Sequence, residues 1–228
     1  MIQNSDSIIK HLVLGLLLLL PMSSLAQTPD TTSSTERFAL VHLDVELDYG
    51  KLIGQVVDFE SKYEGALALG YKERFRAVVE FGQGTYNPQL AVRNGSYESE
   101  GNWTRYGADY FLPINQGNWL GLGFRFANSE WQDMGSFTID SDLFTPRTET
   151  FAREGLTASW IEIILHTQTE VLQGLFIGGR VRFRSIATFN QVAPIEIYNI
   201  PGFGRAFDTS IPAVNLYAMY RLGIGKTK

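Results

Sequence analysis

The chain has 228 residues, no cysteine, and 24 acidic against 19 basic side chains, for a net charge of −5. That length holds one barrel or one domain with a sizeable core. Disulfides, thiol chemistry, lipid attachment at a leader cysteine and the commonest structural zinc sites are excluded, and the acidic balance gives no reason to expect nucleic acid as a partner.

Residues 1–26 read as a cleaved secretory signal peptide. Lys10 and His11 precede an apolar run from Leu12 to Leu20, then Pro21 and small residues up to Ser24-Leu25-Ala26, with cleavage expected before Gln27. The apolar run is too short to span hydrocarbon, which needs about 20 residues. Residues 27–37, rich in Thr and Ser, read as a flexible periplasmic lead-in, and residues 38–228 as one barrel domain.

About eight stretches then alternate apolar and polar, the period-two pattern of strands. In the first, from Phe38 to Asp48, Val41, Leu43, Val45 and Leu47 oppose His42, Asp44, Glu46 and Asp48. The second runs from Tyr63 to Lys72, and the third, Arg74 to Tyr86, follows a turn at Lys72-Glu73. The fourth runs from Tyr97 to Leu112 and sets Tyr106, Ala108, Tyr110 and Leu112 against Arg105, Gly107 and Asp109. Pro113 and Asn115-Gln116-Gly117-Asn118 make the next turn. The fifth is Trp119 to Ala127 and the sixth Thr157 to Thr169; Gln173-Gly174 turns into the seventh, Leu175 to Thr188. The eighth runs from Ala213 to Gly223.

The connections alternate long and short. Long ones are expected over Tyr49 to Lys62, Asn87 to Ser96, Asn128 to Leu156 and Phe189 to Pro212, with a short helix within Leu52 to Phe59 of the first. This rhythm is that of a closed antiparallel up-and-down transmembrane β-barrel with long extracellular loops and short periplasmic turns. Tyr49, Tyr71, Tyr86, Trp103, Trp119 and Tyr220 near strand ends would suit interfacial girdles. Alternation alone does not say which face is inside. A soluble ligand-binding barrel keeps apolar residues in, and a membrane barrel inverts this. The strict rhythm, the aromatics at strand ends and a polar face that mixes glycine with arginine favour inversion.

The segments Ala158-Ser159-Trp160-Ile161-Glu162 and Thr169-Glu170-Val171-Leu172-Gln173-Gly174-Leu175-Phe176-Ile177-Gly178, the arginine strand after them, and Ile200-Pro201-Gly202-Phe203 carry a resemblance. The chain is similar to an uncharacterised family of outer-membrane β-barrel proteins from Bacteroidota, a domain of unknown function. The likeness covers about the last 70 residues closely and the first half by layout. It implies a barrel in the outer membrane and no reaction, so no catalytic residue carries over. The chain departs from ordinary outer-membrane barrels in running past Tyr220 to Lys226-Thr227-Lys228, where a terminal aromatic is common.

On the polar face, Asp44, Glu46 and Asp48 of the first strand face Arg180, Arg182 and Arg184 of the seventh across the closure strand. Same-face neighbours lie about 6–7 Å apart, so three like charges in a row need opposite charges nearby. Arg74, Arg76, Glu80, Arg105, Asp109, Arg125, Glu162 and Arg221 would complete a lumen network that holds an eight-stranded barrel shut, since a barrel of that size is filled by side chains. The functional alternative is a site for a small charged solute or a proton path.

A catalytic pair of His166 and Glu162 fails on distance, because residues four apart on a strand are separated by about 13 Å. His42 and Asp44 are closer but have no serine clearly placed as nucleophile. Three histidines, one in the leader, and no ligand motif argue against a metal, and no cofactor is implied. Glycine pairs such as Gly121-Leu122-Gly123 lack the helix and lysine of a phosphate loop.

Trp131, Phe137, Phe144, Tyr198, Phe203 and Phe207 in the long connections are candidates for a contact surface, or for burial over the barrel mouth. The expected partners are outer-membrane lipid, the assembly machinery for outer-membrane proteins and a larger envelope complex. The expected role is structural or accessory, with a lipid-modifying enzyme or a soluble periplasmic ligand-binding barrel as alternatives.

Overall fold

A computed structural model describes residues 41–54, 60–88, 94–141, 144–189 and 196–224. The expected leader and lead-in lie outside these. Eight strands close into one antiparallel barrel: β1 (Val41–Asp48), β2 (Glu60–Tyr71), β3 (Phe75–Tyr86), β4 (Gly95–Asn115), β5 (Asn118–Ser141), β6 (Phe144–Leu172), β7 (Leu175–Phe189) and β10 (Ser210–Ile224). Each pairs with its sequence neighbour, and β1 closes the ring on β10, with Asp44 opposite Arg221. Two short strands, β8 (Asn199–Ile200) and β9 (Gly204–Arg205), form a small hairpin inside the β7–β10 connection.

The burial is inverted relative to a soluble protein. Asp44, Arg125 and Glu162 are fully buried, whereas Leu122 is 60% exposed, Ile163 54% and Phe124 50%. Alternation forces this: successive side chains leave a strand on opposite faces, so a strand that buries Arg125 must expose Phe124 and Phe126. The exposed apolar residues form a belt around the barrel. Among the described residues no helix is long and apolar enough to cross a membrane.

Four expectations are corrected. The connection expected over Asn128 to Leu156 is largely strand: β5 has 24 residues and β6 has 29, well beyond the 9–11 or so that a bilayer needs. There the outward face turns polar, so the hairpin loses its apolar stripe while Trp131 and Asp133 continue the inward one. The helix in the first connection, α1, spans Tyr49–Gly54, earlier than expected, because Asp48 caps it by accepting from the Lys51 N–H at 3.1 Å; residues 55–59 lie outside the described set. Trp103 and Trp119 point into the barrel and do not join a girdle. Arg74 sits exposed in the β2–β3 turn, where Lys72 and Glu73 take left-handed φ of 51° and 56°, so it is not a lumen charge.

Candidate functional site

The inward positions of all eight barrel strands bring their charges to one buried network. Its hub is Glu80 of β3, 1% exposed. One oxygen accepts from Arg125 Nε at 2.8 Å and Arg180 Nη1 at 3.5 Å; the other accepts from Arg182 Nη2 at 2.8 Å and Arg105 Nη1 at 3.2 Å. Four guanidinium groups around one carboxylate would repel each other unless further acids shared them. Glu162 accepts from Arg105 Nε at 2.8 Å and Arg182 Nη1 at 2.6 Å. Asp109 accepts from Arg125 at 2.7 and 3.0 Å and from Arg76 at 3.2 Å.

The closure seam carries the β1 acids. Asp44 holds Arg221 bidentately at 2.8 and 2.9 Å and also meets Arg76 at 3.3 Å. Glu46 accepts from Arg76 at 3.0 Å and from Arg180 across β10. Asp48 accepts from Asn215 and lies 3.9 Å from Lys51. The expected facing rows of β1 acids and β7 arginines are therefore only partly realised. Arg180 reaches Glu46, but Arg182 turns to Glu80 and Glu162, and Arg184 donates to the carbonyls of Gly202, at 2.8 Å, and Phe203.

Three partners escaped the sequence reading. Glu64 lies 2.9 Å from Arg105, accepts from Lys51, and takes the Trp103 indole N–H at 3.1 Å. Glu64 falls within the expected second strand, Tyr63 to Lys72, and period two already sets it on the polar face opposite Gly65 and Leu67. Trp160 donates its indole N–H to Glu162 at 2.7 Å. Asn215 bridges Arg182, at 2.9 Å, and Asp48. The network sets seven buried acids (Asp44, Glu46, Asp48, Glu64, Glu80, Asp109, Glu162) against six buried arginines (Arg76, Arg105, Arg125, Arg180, Arg182, Arg221), with the half-buried Lys51 and Arg184 at its edge. That near balance lets the buried arginines named here persist, because each of them has a carboxylate neighbour. Both described histidines are buried beside carboxylates: His166 Nε2 lies 3.2 Å from Asp109 and His42 Nε2 3.8 Å from Asp44.

Above the network the mouth is apolar. Trp103, Trp131, Trp160, Leu156 and Ala158 pack with Ile197, Ile200 and Phe203 of the β7–β10 connection. The turn Ile200–Phe203 closes by a 3.0 Å bond from the Phe203 N–H to the Ile200 carbonyl. Pro201 and Gly202 occupy its corner, and Gly202 has φ +82°. A Cβ there would also stand 2.5 Å from the Trp103 ring, so glycine is required twice over. The Gly202 carbonyl accepts from Arg105 at 2.9 Å as well as from Arg184, which fastens the turn to the network.

The contact candidates therefore divide. Trp131 and Phe203 are buried, as the expectation of burial over the barrel mouth has it, and are not surface contacts. Phe137 and Tyr198 are half-buried, Tyr198 stacking on Tyr86 with centroids 6.0 Å apart, and Phe207 is 55% exposed. The Phe144 side chain lies outside the described residues. In the sheet extension, Arg153 Nε meets Asp133 at 2.7 Å and the Tyr97 hydroxyl donates to Asp133 at 3.2 Å. Burial, reinforced by the Asp133 carboxylate, raises the Tyr97 hydroxyl above its ordinary value and keeps it a donor. Among the described residues no group of three histidine or acidic side chains is placed to hold a metal ion.

The chain is similar in structure to three solved barrels. The N-terminal β-barrel domain of Pseudomonas aeruginosa OprF is 12% identical, with 82% of this chain and 100% of that one covered and a TM-score of 0.37. Neisserial surface protein A is 11% identical, with coverage of 81% and 96% and a TM-score of 0.37. Acinetobacter baumannii CarO2 is 10% identical, with coverage of 81% and 99% and a TM-score of 0.39. No curated protein matches the chain. Residues 5–224 match the family described as "Domain of unknown function (DUF6048)", and the chain belongs to that family.

Proposed function

We propose that this protein is an outer-membrane β-barrel with a structural or accessory role, closed to solutes, whose extended strands present a binding surface outside the cell. The observation that carries the reading is the inverted burial: an apolar belt outside and an interior of opposed charges joined by ion pairs. An apolar belt of this size is stable only against lipid, because water would drive it to aggregate. The ion pairs fill the waist, as expected where eight strands leave no room for a channel. The expected partners are outer-membrane lipid, the machinery that assembles outer-membrane proteins, and an envelope complex reached through the extended β5–β6 hairpin. We read the protein as non-catalytic, since His42 and His166 are 0% and 1% exposed, sealed among the ion pairs where a substrate would have to displace them.

Membrane fractionation with boiled and unboiled gel samples tests this. Carbonate-resistant outer-membrane protein whose mobility shifts on boiling supports the reading. Soluble periplasmic protein with no shift overturns it.

A further inference from the structure

We propose that the outer wall of β2 to β6, just beyond the apolar belt, carries a cleft for an uncharged, polyhydroxylated glycan. This rests on the reading above, that the long-strand side faces out of the cell. The cleft has a volume of about 470 Å³ and is lined by Tyr63, Gln83, Glu100, Asn102, Glu130 and Glu154, among others. Sites for small ligands span about 300–1,000 Å³.

Its height follows from the outward side chains. Along β3 the outward face passes from Phe81 to Gln83, along β4 from Tyr106 to Asn102, and along β5 from Phe126 to Glu130. The cleft therefore begins where hydrocarbon ends, at the level of headgroups and surface sugars. A bulge helps to shape it. Glu154 and Gly155 of β6 stand against Gln132 alone on β5, Gly155 having φ +65°. A bulge of two residues against one re-aims side chains, and here it leaves Glu154 exposed beside Glu130 in the lining.

The chemistry selects the ligand class. No lysine or arginine is among the lining residues, so three carboxylates would repel a phosphorylated or acidic ligand. The carboxylates are not gathered as a metal site among the described residues. Every strand of the wall is paired on both sides, which leaves no free edge for a peptide strand. The wall offers amides that donate to and accept from hydroxyl groups and carboxylates that accept from them, with the half-exposed Tyr63 ring as an apolar platform for the C–H face of a sugar.

The full barrel in lipid nanodiscs, probed against an array of neutral hexose and N-acetylhexosamine oligosaccharides, tests this. We expect binding that persists at high salt, falls at least tenfold in Tyr63→Ala and in the double variant Gln83→Ala/Asn102→Ala, and is unchanged in Phe207→Ala. Liposomes bearing a neutral glycolipid, compared with the free saccharides, separate a membrane source from a soluble one. A heat-modifiable barrel that binds no glycan overturns the proposal and leaves the outer-membrane reading standing. Binding that salt abolishes, or that the cleft variants do not weaken, overturns it too. Protein that is not heat-modifiable overturns the outer-membrane reading and this proposal with it.

Discussion

The waist and the mouth of the barrel are packed by opposite means. At the waist, charges on rigid strands neutralise one another around Glu80, and Asp109 and Glu162 share its arginines. At the mouth, an apolar turn from a connection seats Ile200 and Phe203 among tryptophans, with Arg105 and Arg184 holding its carbonyls. The waist is costly to damage because an unpaired buried charge has no water to turn to. The mouth is a packing arrangement that can come apart locally while the barrel persists.

The largest expected effect is at the hub. Glu80→Ala leaves four buried guanidinium groups short of a shared carboxylate and should cost about 3–5 kcal/mol. Urea unfolding in detergent micelles, followed by gel mobility, measures it; a loss under about 1 kcal/mol would show the waist to be dispensable. Arg182→Glu reverses a charge that meets both Glu80 and Glu162 and should lower the unfolding temperature in detergent. An unchanged melt together with unchanged conductance would sink the claim that the network holds the barrel shut.

Phe203→Ala should cost about 3 kcal/mol, but locally, on the seating of the turn. Limited proteolysis should then cut the β7–β10 connection faster while the unboiled band keeps its mobility. A global loss of that band would join mouth and waist into one cooperative unit. Phe207→Ala, at an exposed ring, should change stability by less than about 0.5 kcal/mol, which the same urea curve checks.

The waist was largely legible in the sequence because strand alternation is strict: once Asp44, Arg125 and Arg182 share a face with period two, closure brings them together. Which arginine meets which acid was not legible, since strand stagger around the ring decides it and Arg182 reaches Glu80 from 102 residues away. Arg74 was misplaced because a turn with two left-handed residues consumed it. The mouth was legible only in outline, burial of Trp131 and Phe203 over it being one of two expectations. Ile200 and Phe203 alternate with nothing, and their burial depends on Trp160 and on Trp103, which the rule of girdle aromatics assigns to the outside. The hairpin beyond the belt read as a loop because, with water on its outer face, the apolar half of the alternation is lost.

The most direct test of the closed waist is conductance in planar lipid bilayers, comparing the wild-type barrel with a variant in which residues 199–205 are replaced by a short glycine linker. The account predicts no stepwise conductance from either, because the ion pairs around Glu80 fill the lumen below the turn. Stable open steps from the wild type would contradict the filled waist, and steps from the variant alone would show that the turn, not the network, closes the barrel.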